Sequence, residues 1–416
     1  MPKTVAEINA KIKQGQAVVV TAEEMIDVVA EQGAKQAAKT VDVVTTGTFG
    51  PMCSSGAFLN FGHTKPRMRM SRVWLNDVPA YAGVAAVDCY LGATEVAEGD
   101  PLNRDHPGEF RYGGAHVIAD LVAGKDIALR AESYGTDCYP RRDLESIIRL
   151  ADLNQAFICN PRNAYQNYNC AVNLDKHRDM YTYMGVLQKN LGSASFCSAG
   201  QLSPLLNDPY YRTIGIGSRL FIGGAQGYIF WQGTQHDPSA TRSENGTPTG
   251  GAGTIATVGD LKAMDPRYVV GVSFYGYGVS LALGIGIPIP ILDADMARFT
   301  AVRDEDIVCP IVDYSRGYAY GERGPLGHVS YAQLKTGRIE VEGQQIPTTP
   351  LSSYVRAQEI AALLKEQVQT GQFLLTEPLE PLPAADSGLK FKPFTERQTK
   401  SKAKTLTLAR RATEVG

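Results

Sequence analysis

The chain has 416 residues and a mass of 45.0 kDa, with 44% hydrophobic and 20% charged residues; this is ordinary globular usage and excludes wholesale disorder and fibrous repeats. Its 41 basic and 43 acidic residues nearly cancel, so the chain as a whole has no general attraction to nucleic acid or membrane. The balance is uneven, however. From Lys390 to Gly416 eight Lys/Arg face two Glu, a local +6 that leaves −8 for the rest. With no aromatic or Gly-rich RNA-binding pattern beside it, this stretch reads as a solvated or subunit-clasping tail.

In chain order, the opening reads as a helix over 4–13, a short strand over 17–20 and a second helix announced by the capping box Thr21-x-x-Glu24. A strand over 41–45 follows. From there β-branched runs alternate with helical stretches: strand 127–133 into helix 141–150, strand 155–158 into an Asn/Arg-rich loop, then strand-like runs at 213–216, 220–222, 228–230, 268–274 and 279–292. This alternation predicts an α/β fold, a mixed sheet with flanking helices and long Gly-rich loops. The polar stretch 233–253 has no apolar period and is too long for a simple connector, which marks it as a lid or binding loop. A last helix over 353–370 carries Ile360, Leu364 and Val368 on one stripe and stops at Gly371. After Pro378 the chain is expected to leave the body. The domain reading is one unit over 1–376, divisible into two lobes near 200–250, and a Pro-rich, then basic, tail over 377–416.

The stretch 279–292 is too short, and too broken by Pro288 and Pro290, to span a membrane as a helix. The N-terminus lacks an apolar signal core. A cytoplasmic protein with no membrane and no nucleic-acid partner is expected.

Seven cysteines contain no Cys-x-x-Cys, so neither a disulfide framework nor a local zinc or iron–sulfur knuckle is written here, and no metal is expected. The apparent Gly251-x-Gly253-x-x-Ala256 fingerprint follows a polar loop, not a strand, and reads as chance. Two segments carry chemistry. In 127–150 a strand pattern, the turn Gly135-Thr136-Asp137 and Pro140 at a first helical position place Cys138 just before a helix N-terminus. The macrodipole there, with Arg141 and Arg142 close by, favours a thiolate; Asp137 opposes it. Such thiols fall from about 8.5 to roughly 3.5–7.5, which makes Cys138 the leading nucleophile; the plain alternative is a partly buried structural cysteine. In 45–63, TTGTFGPMCSSGAFLNFGH, four glycines and Pro51 shape a loop that presents Cys53 with Ser54 and Ser55. Backbone N–H groups and two hydroxyls there could cradle a thiolate, a persulfide or a carboxylate; the plain alternative is a connector. Cys89, Cys159 and Cys309 read as buried small hydrophobes, and Cys170 and Cys197 stay undecided.

The strings GTFGPMCSSGAFLNFGH, VWLNDVPAY, AAVDCYLGAT, GGAHVIADLVAGK and LRAESYGTDCYPR resemble the homocysteine-biosynthesis (sulfur-incorporation) family, the aspartate-semialdehyde sulfurtransferases of methanogens and anaerobic bacteria, over about 3–375. The family's two characteristic cysteines fall on Cys53 and Cys138. The resemblance implies that one thiolate, Cys138 by preference, carries sulfane sulfur as a persulfide and delivers it to the aldehyde carbon of aspartate semialdehyde. It implies a Cys53–Cys138 disulfide reopened by an external donor, electrons from a ferredoxin-like iron–sulfur partner, no cofactor on this chain, and a homo-oligomer. Many archaeal relatives append a pair of CBS domains where this chain has a basic tail, which puts in doubt any regulation attributed to that module. The substrate's carboxylate and ammonium call for a fork donor and an acceptor, for which Arg130, Arg141 and Arg142 with Glu132 or Asp137 are local candidates; Arg130 and Glu132 could equally be a structural pair. Two other readings stand beside this one: a CoA or acyl transferase using Glu132 as nucleophile, and a non-enzymatic sulfur carrier that docks an iron–sulfur partner through its tail.

Overall fold

A computed structural model describes residues 2–100, 103–315, 324–390, 392 and 394–397. The first helix, Val5–Lys13, and the second, Ala22–Gln32, each begin with a complete capping box, Thr4 with Glu7 and Thr21 with Glu24. Between them Val19–Thr21 lies parallel to Val43–Thr45, which pairs on its other side antiparallel with Pro288–Pro290. The long helix Tyr354–Gln369 covers this small sheet. Its stripe of Ile360, Leu364 and Val368 is fully buried with Ile8, Ile12, Val43 and Phe221, and Gly371 follows at φ 76°. At Gly47 a Cβ would come within 2.2 Å of the Ala357 carbonyl oxygen, so the strand and the helix meet there backbone to backbone.

Asp42 ties this region together. It is fully buried and accepts from Lys3 Nζ at 3.0 Å, Lys11 Nζ at 2.8 Å and the Val18 N–H at 3.0 Å. Burial raises the Asp42 carboxyl's pKa, but these donors outweigh it and hold the group below its ordinary value. Burial also pulls the Lys3 ammonium down, against its own pairing. Three donors converge on Asp42, one of them from the half-exposed Lys11, so its lowered pKa sets the sign. Asp42→Asn is therefore expected to cost about 3 kcal/mol in denaturant unfolding at neutral pH. In the wild type that contribution is fully present above the unfolded carboxyl's pKa of about 3.9 and is lost as pH falls through the lower folded value.

The largest sheet has nine strands, every pair antiparallel. Its path runs Val269–Phe274, Gly278–Gly286, Arg219–Ile222, Ala225–Gln232, Ile255–Asp260, Gln155–Asn163, Gly56–Asn60 and Asp88–Gly92, with Thr48–Pro51 also pairing Gly278–Gly286. A mixed sheet of six joins Gly327–Ser330, Val308–Asp313, Cys170–Val172, Ala194–Phe196, Gln344–Pro350 and Arg338–Val341. A third, of four antiparallel strands, runs Val78–Ala80, Arg72–Leu75, Ile127–Glu132 and Asp143–Ile148. The class is α/β as expected, but the strands are shared among several sheets. Among the described residues no helix is long and apolar enough to cross a membrane.

Three local expectations need correcting. The helix read over 141–150 is the strand Asp143–Ile148, paired with Ile127–Glu132 from Ile127↔Ile148 to Glu132↔Asp143. Its apolar Leu144 and Ile148 are four apart, a spacing that suits either period, and the hairpin partner decides it. Of the two readings of 233–253, it is the lid that is corrected, for the stretch is tied down: His236 is buried with its ring nitrogens 3.0 Å from the carbonyls of Thr254 and Pro383, and Asn167 Nδ2 donates to the Pro248 carbonyl at 2.7 Å; its Gln235 lines a cavity together with Cys53, as a binding loop would. Nor does the chain leave the body at Pro378. Glu380–Pro381 pairs with Gly215–Ile216, and Leu382 is buried in the main core. The basic tail beyond 397 lies outside the described residues.

Candidate active site

Thr48–Pro51 pairs antiparallel with Gly278–Gly286, with Pro51 opposite Ala282. Continuing that register brings the buried Ser280 opposite Cys53, and Ser280 Oγ donates to Cys53 Sγ at 3.2 Å. The chain then turns. Ser55 N–H and Oγ both donate to the Met52 carbonyl, at 3.0 and 2.7 Å. Gly56 opens the next strand where a Cβ would fall 2.1 Å from Tyr90 Oη, so a larger residue would displace the Tyr90 ring. The adjacent strand Gln155–Asn163 supplies Asn160, whose Nδ2 donates to Ser55 Oγ at 2.8 Å, and Arg162, whose Nε and Nη2 donate to Ser54 Oγ at 3.2 and 3.1 Å. The Cys53 turn is thus held by its own backbone and by two neighbouring strands.

Facing it, Cys197 follows directly on the strand Ala194–Phe196 of the six-stranded sheet. The segment 351–353 joins the two sides: Leu351 N–H donates to the Phe196 carbonyl and Ser353 N–H to the Phe49 carbonyl, both at 2.9 Å. Ser352 Oγ lies 3.5 Å from Cys197 Sγ. A cavity of about 310 Å³ lies here, lined by Cys53, Ser54, Arg162, Tyr165, Tyr168, Tyr183, Cys197, Gln235 and Tyr277 among others. Phenols bridge its wall: Tyr168 and Tyr183 hydroxyls are 2.6 Å apart, Tyr183 and Tyr314 hydroxyls 3.0 Å, and Tyr165 donates to Gln235 Oε1 at 2.6 Å. Burial raises the Tyr277 pKa, the Cys53 sulfur adding to the rise and Arg162 opposing it. Burial likewise pushes the Cys197 thiol up, Ser352 opposing and Cys53 reinforcing. Both effects place Cys53 at the centre of the group.

A family model described as "Homocysteine biosynthesis enzyme, sulfur-incorporation" matches residues 17–375. The chain belongs to this family. A protein of Methanosarcina acetivorans named L-aspartate semialdehyde sulfurtransferase is 49% identical over 390 residues, which are 94% of this chain and 74% of that one. One of the same name from Methanocaldococcus jannaschii is 46% identical over 406 residues, 94% of this chain and 76% of that one. An uncharacterized protein of Methanothermobacter thermautotrophicus is 30% identical over 280 residues, 65% of this chain and 59% of that one. No solved structure matches.

Within this sulfur-incorporation enzyme the residues singled out by sequence fall in two places. Cys53 and Ser54 line the cavity, with Ser55 buried just behind. Cys138 is exposed in the loop between Ile127–Glu132 and Asp143–Ile148. No helix begins after it, so the macrodipole argument for its thiolate fails, and it is not among the cavity's lining residues. Arg130 and Glu132 share a face as expected, at 3.7 Å, but Glu132 also meets Arg72 at 3.6 Å and the Arg130 guanidinium stacks 3.7 Å from the Trp74 ring centroid. That is a surface ion-pair network on the four-stranded sheet, outside the cavity lining. Arg141 Nε donates to the Asp143 carbonyl at 2.9 Å, and Arg142 is exposed beside Gly135; neither lines the cavity.

Sequence reasoning missed Arg162, Cys197 and the tyrosines. Arg162 stands in the Asn/Arg-rich stretch read as a loop, where the strand in fact runs on to Asn163 with a register shift after Asn160. The tyrosines come from three distant segments, and no local spacing joins them. Of the remaining thiols, Cys89, Cys170 and Cys309 are fully buried; burial pushes Cys89 and Cys170 up to about 12 and Cys309 higher. Cys159 is half-buried and also raised by burial.

Proposed function

We propose that the chain is an L-aspartate semialdehyde sulfurtransferase that forms homocysteine in the Cys53 cavity. The observation that carries the reading is two thiols, Cys53 and Cys197, one arginine fork and several phenols converging on a space suited to a small amino-acid aldehyde. The names of the two methanogen relatives support the substrate. Cys53 holds sulfane sulfur as a persulfide. Arg162 offers its guanidinium edge to the substrate carboxylate, and the Tyr168–Tyr183 phenol pair donates a hydrogen bond to the aldehyde oxygen as carbon–sulfur bond formation loads charge onto it.

Sulfur leaves the persulfide at the sulfide level, which takes two electrons. Addition to the aldehyde gives a thiohemiacetal, loss of water gives a thioaldehyde, and two more electrons with two protons give the thiol of homocysteine. The electrons come from an external reductant, a ferredoxin-like iron–sulfur protein or a dithiol. Cys138, exposed on its hairpin loop, suits receipt of sulfur from a donor in solution. The test is homocysteine formation by the full chain from aspartate semialdehyde, polysulfide as the sulfane-sulfur donor, and reductant. With polysulfide supplied, Cys138→Ala is expected to keep turnover within about tenfold of wild type, because that thiol stands outside the cavity lining. No homocysteine from the wild type, or complete loss in Cys138→Ala with Cys53→Ala active, would contradict this reading.

A further inference from the structure

We propose that Cys197 is the resolving thiol of this site, closing a disulfide with Cys53 to release the sulfur. The inference rests on the persulfide reading above and deepens it by naming the second thiol. Cys53 and Cys197 are the two thiols that line the cavity. They come from different sheets, and the segment 351–353 holds those sheets together: it bonds the residues Phe49 and Phe196, and Ser352 touches Cys197. Ser352 also sits against the strand that leads into Cys53, since a Cβ on Gly50 would lie 2.8 Å from its hydroxyl. Cys53 is on a turn and Cys197 just past a strand end, so neither is locked in a ladder. Both line one cavity and Cys53 is near enough to act on the Cys197 thiol; closing the bond brings the two sulfurs to about 2 Å. Among the described residues every other cysteine is either shut inside a sheet or away from the cavity lining.

The step balances without a further reactant. The Cys197 sulfur attacks Cys53 Sγ of the persulfide, the Sγ–Sγ bond forms, and the bond from Cys53 Sγ to the sulfane sulfur breaks. That sulfur leaves with the electron pair and takes up the Cys197 proton, departing as hydrogen sulfide at the aldehyde. The sulfane sulfur is reduced by two electrons and the two cysteines are oxidised to a disulfide, which the external dithiol or iron–sulfur protein reopens with two electrons and two protons. Burial holds Cys197 toward its thiol form, which supplies the proton that the departing sulfur takes up.

The test is non-reducing peptide mapping of the full chain after loading with polysulfide and quenching by alkylation, with released sulfide measured in parallel. The wild type should yield a linked Cys53–Cys197 peptide pair in proportion to the sulfide released. Cys197→Ser, which keeps a polar group against Ser352, should instead retain the one-sulfur adduct on Cys53 and release sulfide about 100-fold more slowly. Linkage of Cys53 to Cys138 or to any other thiol, or release from Cys197→Ser at the wild-type rate, would overturn the proposal; the wild-type linkage does not depend on how well the variant folds. The two readings fail separately. Diamide-induced Cys53–Cys197 linkage with no persulfide on Cys53 would sink persulfide chemistry and leave the pairing supported, whereas persulfide on Cys53 with Cys197 fully alkylated after release would sink the pairing alone.

Discussion

Cys53→Ala should lower kcat/KM for homocysteine formation by about 10³-fold or more, the scale expected when a covalent nucleophile is removed. The half-buried Cys53 accepts the hydrogen bond from Ser280 at its sulfur. The turn itself is held by Ser54, Ser55, Asn160 and Arg162, so the variant should melt close to wild type. Loss of activity with an unchanged melting profile therefore reports on chemistry and not on folding. Ser280→Ala is the milder companion: it removes the donor to the sulfur and leaves the thiol in place. A Cys53→Ala enzyme with wild-type turnover would move the chemistry elsewhere.

Arg162→Ala should raise KM for aspartate semialdehyde about 100-fold while kcat falls much less, because a lost charge-assisted fork to a carboxylate is worth roughly 1.5–3 kcal/mol. Arg162→Lys should recover only part of this, since an ammonium keeps the charge but cannot offer two parallel N–H groups. Arg162 also donates to Ser54 Oγ through two nitrogens, and Ser54→Ala separates the two roles. If Arg162 merely braced the Cys53 turn, Ser54→Ala would reproduce its loss and the effect would fall on kcat. Steady-state kinetics against substrate concentration decides between them.

The legible parts of this molecule were those written in local patterns. The capping box Thr21-x-x-Glu24, the stripe Ile360, Leu364 and Val368 and the stop at Gly371 depend on residues a few positions apart, and they fold as read. The glycines around Cys53 were legible as backbone demands, and Gly56 and Gly47 show why: each faces another group where a Cβ would stand. The hairpin at Cys138 was not, because Leu144 and Ile148 satisfy a helix and a strand equally and only the distant partner strand 127–132 chooses. That one ambiguity carried the argument for a lowered thiol pKa with it.

The cavity was hidden for a different reason. Arg162, Tyr183, Cys197 and Tyr277 belong to separate segments whose neighbourhood is set by which strands pair, from Gly50↔Leu283 to Cys170↔Phe196. No periodicity within a segment encodes that adjacency. Cys53 was found because its own loop is unusual; its companions sit in sequence of ordinary composition.

The most direct test follows the sulfur itself. The enzyme is loaded with isotopically labelled polysulfide, freed of excess, and mixed with aspartate semialdehyde and reductant in a single turnover, with label tracked by mass spectrometry on the Cys53 and Cys138 peptides and in the product. The account predicts label on Cys53 that disappears as labelled homocysteine forms in equal amount. Label that remains on Cys53 while product forms, or labelled product from the Cys53→Ala enzyme charged only at Cys138, would contradict it.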